Sequence, residues 1–128
     1  MFNLILVGSG GFIGSVLRYL IGLGVQALVR NSAFPYGTLM ANVLGCFLIG
    51  FFSGLAAERI VFSAQTRLFL FTGILGGFTT FSTFSLDTFN MIREHSAPTF
   101  ALGLIHISAH VCIGLAAVYI GYWLARSL

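Results

Sequence analysis

Apolar residues run along this chain in four long blocks, Leu4 to Val29, Tyr36 to Ala57, Leu68 to Ile92 and Ser96 to Ala125. Each can cross a bilayer core as a helix, which takes about 20 residues. The joints are short and collect polar residues: Gln26, Arg30, Asn31 and Ser32, then Glu58, Arg59, Gln65 and Arg67, then Arg93, Glu94 and His95. Pro35 and Pro98 stand where a first helical turn tolerates a residue without an N–H, and Ser96 precedes the last block as a cap. The pattern predicts an all-α integral membrane protein with four transmembrane helices in a single domain over residues 1–128. The first block has no basic lead-in and no small-residue cleavage pattern, so it is expected to persist as a helix rather than leave as a signal peptide.

The third block is the unusual one. Its centre, Gly73 to Ser85, reads GILGGFTTFSTFS, with three glycines followed by five hydroxyl side chains between Thr79 and Ser85. Glycine costs about 1 kcal/mol against alanine in a helix, and hydroxyls compete for backbone groups. The third helix is therefore expected to be broken. Backbone groups freed inside a membrane must face protein or a water-lined cavity. The carbonyls that end one half-helix can coordinate a hard monovalent cation, while the amides that start the next favour an anion. Beyond the break, Phe81 and Phe84 share one helical face and Ser82 and Ser85 another. The rings either line a path or make ordinary helix and lipid contacts. The stretch points to an ion path rather than to an enzyme.

Polar residues elsewhere qualify this picture. Gly8, Gly10, Gly11 and Gly14 do not match a dinucleotide fingerprint, since Ile13 stands at its last glycine and no strand precedes. Gly10 and Gly14 instead make a smooth face for close helix packing. Arg18 lies roughly 20 Å into its span, where it serves a vestibule or snorkels to the surface. Asn42, with Thr38 one turn earlier on the same face, could bond a neighbouring helix or offer amide donors to an anion. Asp87 could mark a wet vestibule or an interfacial position. His106 and His110, four residues apart, invite a metal reading but lack a third ligand, and a polar strip facing other helices is preferred. Cys46 and Cys112 read as small buried hydrophobes. Tyr119, Tyr122 and Trp123 form an aromatic belt before Arg126.

Composition closes off other classes. With 58% hydrophobic and 7% charged residues, the chain cannot cover a soluble globule. Charge orients it weakly: Arg59, Arg67 and Arg126 fall on one side and Arg30 and Arg93 on the other. Such a balance suits insertion in both directions. Four short helices are also too few to enclose a pore, which an antiparallel, dual-topology homodimer would remedy.

With these residues laid out, the sequence resembles the Fluc family, also called CrcB, the small dual-topology fluoride channels of bacteria and archaea. The resemblance runs through Leu17, Arg18 and Tyr19, then Gly37, Thr38, Leu39, Asn42 and Gly45, and above all the run from Gly76 to Ser85. It implies an antiparallel homodimer with two fluoride pores in the cytoplasmic (inner) membrane, conferring fluoride resistance by letting the anion leak out. Phe81 and Phe84 would line the anion path with ring edges, Asn42 would donate hydrogen bonds, Ser82 and Thr83 would join a polar track with Thr38 beside them, and Arg18 would sit at the vestibule. The backbone carbonyls of Gly76 and Thr79 would hold a structural sodium ion on the two-fold axis. The expected partners are a second copy, fluoride and the lipid bilayer, and no nucleic acid. Small multidrug-resistance exporters, the alternative, share the length and dual topology. They depend on a carboxylate in the first span to couple drug export to protons, and here that span carries Arg18 and no acid.

Overall fold

The computed structural model describes residues 1–30, 32–58, 62–94 and 97–128. Four helical segments are long and apolar enough to cross a membrane: Phe2–Leu28, Tyr36–Ala57, Ala64–Arg93 and Pro98–Ser127. The first, second and fourth are the single helices α1 (Phe2–Leu28), α2 (Tyr36–Glu58) and α6 (Ala97–Ser127). The third is composite, with α3 (Ala64–Arg67), a π-wound segment Leu68–Leu75, α4 (Gly76–Phe78) and α5 (Phe81–Arg93). No strand occurs among the described residues. Most large apolar side chains on α1 and α6 face outward, among them Phe12, Tyr19, Leu115 and Tyr119. A lipid solvent accounts for that, and the chain is a multi-pass membrane protein.

The joints differ from the sequence expectation in one place. Gln65 and Arg67 were expected in a surface loop, but both belong to α3, whose first turn is capped by Ser63 accepting from the Thr66 N–H at 3.1 Å. A short capped turn of polar residues at the interface has the composition of a loop. Asn31, Arg59, His95 and Ser96 lie outside the described residues.

Helices in lipid gain little from burying apolar surface, so close packing must hold them. Glycine supplies it in two seams. Along the first, α1 lies against the π-wound segment and α4: a Cβ added at Gly10 would come within 2.9 Å of the Gly73 Cα, and one at Gly14 within 2.8 Å of the Phe78 nitrogen. Gly77 closes on Gly11 in the same way. Along the second, α2 and α6 run parallel, with Gly50 against Val118, Gly54 against Tyr122 and Gly121 against Phe47 and Phe51. The helices α5 and α6 meet antiparallel through Ile92 at Gly103 and Thr88 at His106.

Candidate functional site

Between α4 and α5 the backbone leaves helical geometry. Thr79 (φ −85°, ψ 155°) and Thr80 (φ −148°, ψ 116°) are extended. Thr79 still returns both its N–H and its hydroxyl to the Leu75 carbonyl, at 3.0 Å each. Thr80 does not return to the helix. Its N–H donates to Asn42 Oδ1 at 2.8 Å, and Asn42 Nδ2 donates to the Thr80 carbonyl at 3.1 Å. The side-chain amide of Asn42 therefore does for Thr80 what a neighbouring strand would do, satisfying backbone groups that cannot be left bare at membrane depth. A Cβ at Gly45 would collide with Thr79 Cγ2, so glycine lets α2 come close enough for this clamp.

Thr80 also caps α5, its Oγ1 accepting from the Thr83 N–H at 3.2 Å. In a continuous helix the N–H groups of Thr80 and Thr83 would return to the carbonyls of Gly76 and Thr79. Here both are used elsewhere. Gly76 and Thr79 thus keep carbonyl oxygens released from the helical ladder, on a part of the chain where Gly76 is exposed and Thr79 half-buried. Neutral carbonyls of this kind suit a hard monovalent cation; a divalent ion asks for charged ligands. Among the described residues, no three His, Cys, Asp or Glu side chains gather as a metal site.

Two cavities of about 420 Å³ each flank Thr80. The first is polar, lined by Arg18, Tyr19, Thr38, Thr80, Thr83 and Asp87 among others. Thr38 Oγ1 donates to Asp87 Oδ2 at 2.8 Å, and Arg18 Nε is buried without a hydrogen-bond partner. The second is an aromatic cleft lined by Asn42, Gly76, Thr79, Phe81, Phe84 and His110 among others, with Cys46 at its edge. The Phe81 and Phe84 rings lie 5.5 Å apart, tilted at 45°. Ser85 and Thr88 donate to the carbonyls of Phe81 and Phe84, at 2.9 and 2.8 Å.

The candidate residues are therefore divided by the gap. Thr38, Thr83 and Arg18 share the polar cavity, whereas Phe81, Phe84, Gly76 and Thr79 share the cleft with Asn42. Ser82 is exposed and lines neither, its hydroxyl 3.2 Å from Thr80 Oγ1. Sequence reasoning took Thr80 as part of the break but not as the cap of α5, and with Thr83 rather than an acid or amide three residues on, no capping box announces it. It also left Asp87 without a partner, and no local pattern ties Asp87 to Thr38, which is 49 residues away. His106 and His110 meet α5: His106 lies 2.9 Å from Thr88 Oγ1, and both imidazoles pack against Phe84. The cysteines are free, Cys46 half-buried and Cys112 exposed.

Fold and gap together define a small multi-pass membrane protein whose third span opens into extended backbone between a polar and an aromatic cavity. The sequence matches the family model described as CrcB-like protein, Camphor Resistance (CrcB), over residues 5–122. It is similar to proteins named fluoride-specific ion channel FluC: 48% identical over 128 residues to that of Rhizobium johnstonii, covering 100% of this chain and 99% of the relative. The corresponding protein of Agrobacterium fabrum is 47% identical over 130 residues, with the same coverage, and that of Ruminiclostridium cellulolyticum 42% over 128 residues, with 100% and 95% coverage. The chain belongs to the CrcB family.

Proposed function

We propose that this chain is a fluoride-selective ion channel that works as an antiparallel, dual-topology homodimer with two pores, each drawing on both subunits. The observation that carries this reading is Phe81, whose ring is 80% exposed beside a cleft open on one side. A ring in that position, next to the Asn42 clamp, is an incomplete wall that a second copy would finish. The full-length similarity to fluoride-specific channels supports the choice of ion.

Fluoride is compact and strongly hydrated, so a selective path must replace its water with several small donors. The edges of Phe81 and Phe84 present the positive rim of the aromatic quadrupole. Asn42 uses one of its two amide hydrogens on Thr80 and can turn the other toward the ion. Thr38, Ser82 and Thr83 supply hydroxyls near the gap, and Arg18 draws anions into the polar cavity. Chloride, larger and less strongly hydrated, gains less from such tight donors. The released carbonyls of Gly76 and Thr79 would hold sodium between the two copies, and the ion would staple two interrupted helices without being transported.

The test is efflux from proteoliposomes loaded with potassium fluoride or potassium chloride, started with valinomycin and read with ion-selective electrodes. Rapid fluoride loss with chloride retained is the expected result. Equal loss of both ions, or none from a folded dimer, overturns the proposal.

A further inference from the structure

The first half of the third span shows its surroundings an unusual surface. Of residues 68–80, only Thr72 and Gly76 are exposed. They stand four apart and so share one side of the segment. The outward faces of α1 and α6 carry Phe12, Tyr19, Leu115 and Tyr119, as contact with lipid requires. Here the surface offers a hydroxyl and a backbone carbonyl released from the helical ladder, which acyl chains cannot satisfy.

The hydroxyl is itself unspent. Thr79, Ser85 and Thr88 each return theirs to the carbonyl four residues back, at 3.0, 2.9 and 2.8 Å. Thr72 makes no side-chain hydrogen bond among the described residues. The π winding explains the difference. Over Leu68–Leu75 the ladder reaches back five residues, as the Gly76 N–H does to the Phe71 carbonyl, so the carbonyl four residues behind Thr72 is displaced from beneath it. Across the gap Ser82 is exposed as well, and it lines neither cavity of its own chain. Thr72 borders the cleft whose wall holds Phe71, Leu75, Gly76 and Phe81.

We infer that Thr72 reaches across the dimer and donates a hydrogen bond to Ser82 of the partner subunit, so that each set of pore hydroxyls is positioned by a hydroxyl from the other copy. The inference rests on the antiparallel homodimer proposed above and names a contact that joins its halves. A two-fold axis at the released carbonyls of Gly76 and Thr79 sets residues equidistant from it against each other. Thr72 lies about 8 Å along the span from the midpoint of those two residues, at 1.5 Å per residue. Ser82 lies about 10 Å beyond it, because extended residues rise about 3.3 Å each. Side chains lean toward a helix N-terminus, which carries the Thr72 hydroxyl away from the axis and the Ser82 hydroxyl toward it, and brings the two level. Thr72 has a hydrogen to give. The Ser82 oxygen, 3.2 Å from Thr80 Oγ1, keeps a lone pair to receive it. Ser82 directly follows Phe81, so the bond fixes a hydroxyl beside the ring proposed to face the ion. Thr72 is thus a positioning residue that acts through Ser82.

Cross-linking tests the contact. In a chain carrying Cys46→Ala and Cys112→Ser, Thr72→Cys and Ser82→Cys are combined and oxidised in liposomes with copper phenanthroline. A disulfide-linked dimer that reverts with dithiothreitol is expected, and neither new cysteine alone should link. Linking by a single cysteine, or no linking in protein that runs as a dimer on size-exclusion chromatography, overturns the contact. Protein that runs as a monomer overturns the dimer reading and the inference with it. Efflux tests the consequence. Thr72→Val removes the hydroxyl at nearly constant volume and is expected to slow fluoride efflux about fivefold with the dimer intact, the factor that loss of one hydrogen bond produces. Thr72→Ser is expected to keep the wild-type rate. A valine variant as fast as wild type, or a serine variant as slow as the valine one, overturns the positioning role. A dimer that cross-links but passes no fluoride in any variant keeps the contact and overturns the channel reading.

Discussion

The two halves of the third span, Ala64–Phe78 and Phe81–Arg93, are held by different means. The first is pressed against α1 by backbone on backbone, with Gly10 on Gly73 and Gly77 on Gly11. No side-chain hydrogen bond joins it to α1 among the described residues; shape alone sets its place. The second half is joined to its neighbours by hydrogen bonds: Asp87 to Thr38 on α2 and Thr88 to His106 on α6. Between them Thr80 is gripped by Asn42. The difference teaches that one span can be rigid on one side of a gap and polar on the other, and that the candidate pore residues from Phe81 onward all hang from the polar side.

The comparison can be broken most severely at the ring next to the gap. Phe81→Ile is expected to reduce fluoride efflux on the order of 100-fold while the proposed dimer persists on size-exclusion chromatography, because on the proposed reading the exposed ring edge serves the ion and not the fold. Full flux in that variant would put the path elsewhere. Gly14→Val drives a branched side chain into the backbone of the first half, costing about 3 kcal/mol. Poor recovery of folded protein, rather than slow flux, is the expected reading. Asn42→Ala leaves the Thr80 N–H and C=O without partners, each at about 1–3 kcal/mol. A fall in melting temperature together with about tenfold slower efflux would locate the clamp in both stability and function. If the proposed dimer holds the proposed sodium, replacing sodium with a bulky organic cation should lower its melting temperature by a few degrees, as loss of a ligand bound only to the folded state does. The mildest change is Asp87→Asn, whose amide oxygen still accepts from Thr38; less than about 1 kcal/mol and little change in efflux are expected.

The four spans were legible because a bilayer forces long apolar blocks, and Pro35 fixed the start of α2 within a residue. The start of the third span was not, since Gln65 and Arg67 give α3 the composition of a loop while Ser63 caps it. Gly10 and Gly14 announced a packing face, and Gly73 and Phe78 prove to be what lies against it. The site was less legible in proportion to the distance between its members. Asn42 stood out as a polar residue in an apolar block, but its partner Thr80 lies 38 residues on. The same limit hid Thr88 from His106, 18 residues away on the next helix.

The parallel seam between α2 and α6 has a consequence for the shape of the molecule in its solvent. With Gly50 level with Val118 and Gly54 level with Tyr122, the start of α2 at Tyr36 falls level with Leu104. The part of α6 from Ala97 to Gly103 therefore extends about 10 Å past α2, accompanied by the end of α5 with Arg93 and Glu94. That surplus is a stiff helical post on one side of the polar cavity. In a thin bilayer it would stand among the headgroups, and in a thick one it would sink into acyl chains and tilt the seam. An inverted pair would carry one post on each leaflet, so that membrane thickness would act on both mouths together.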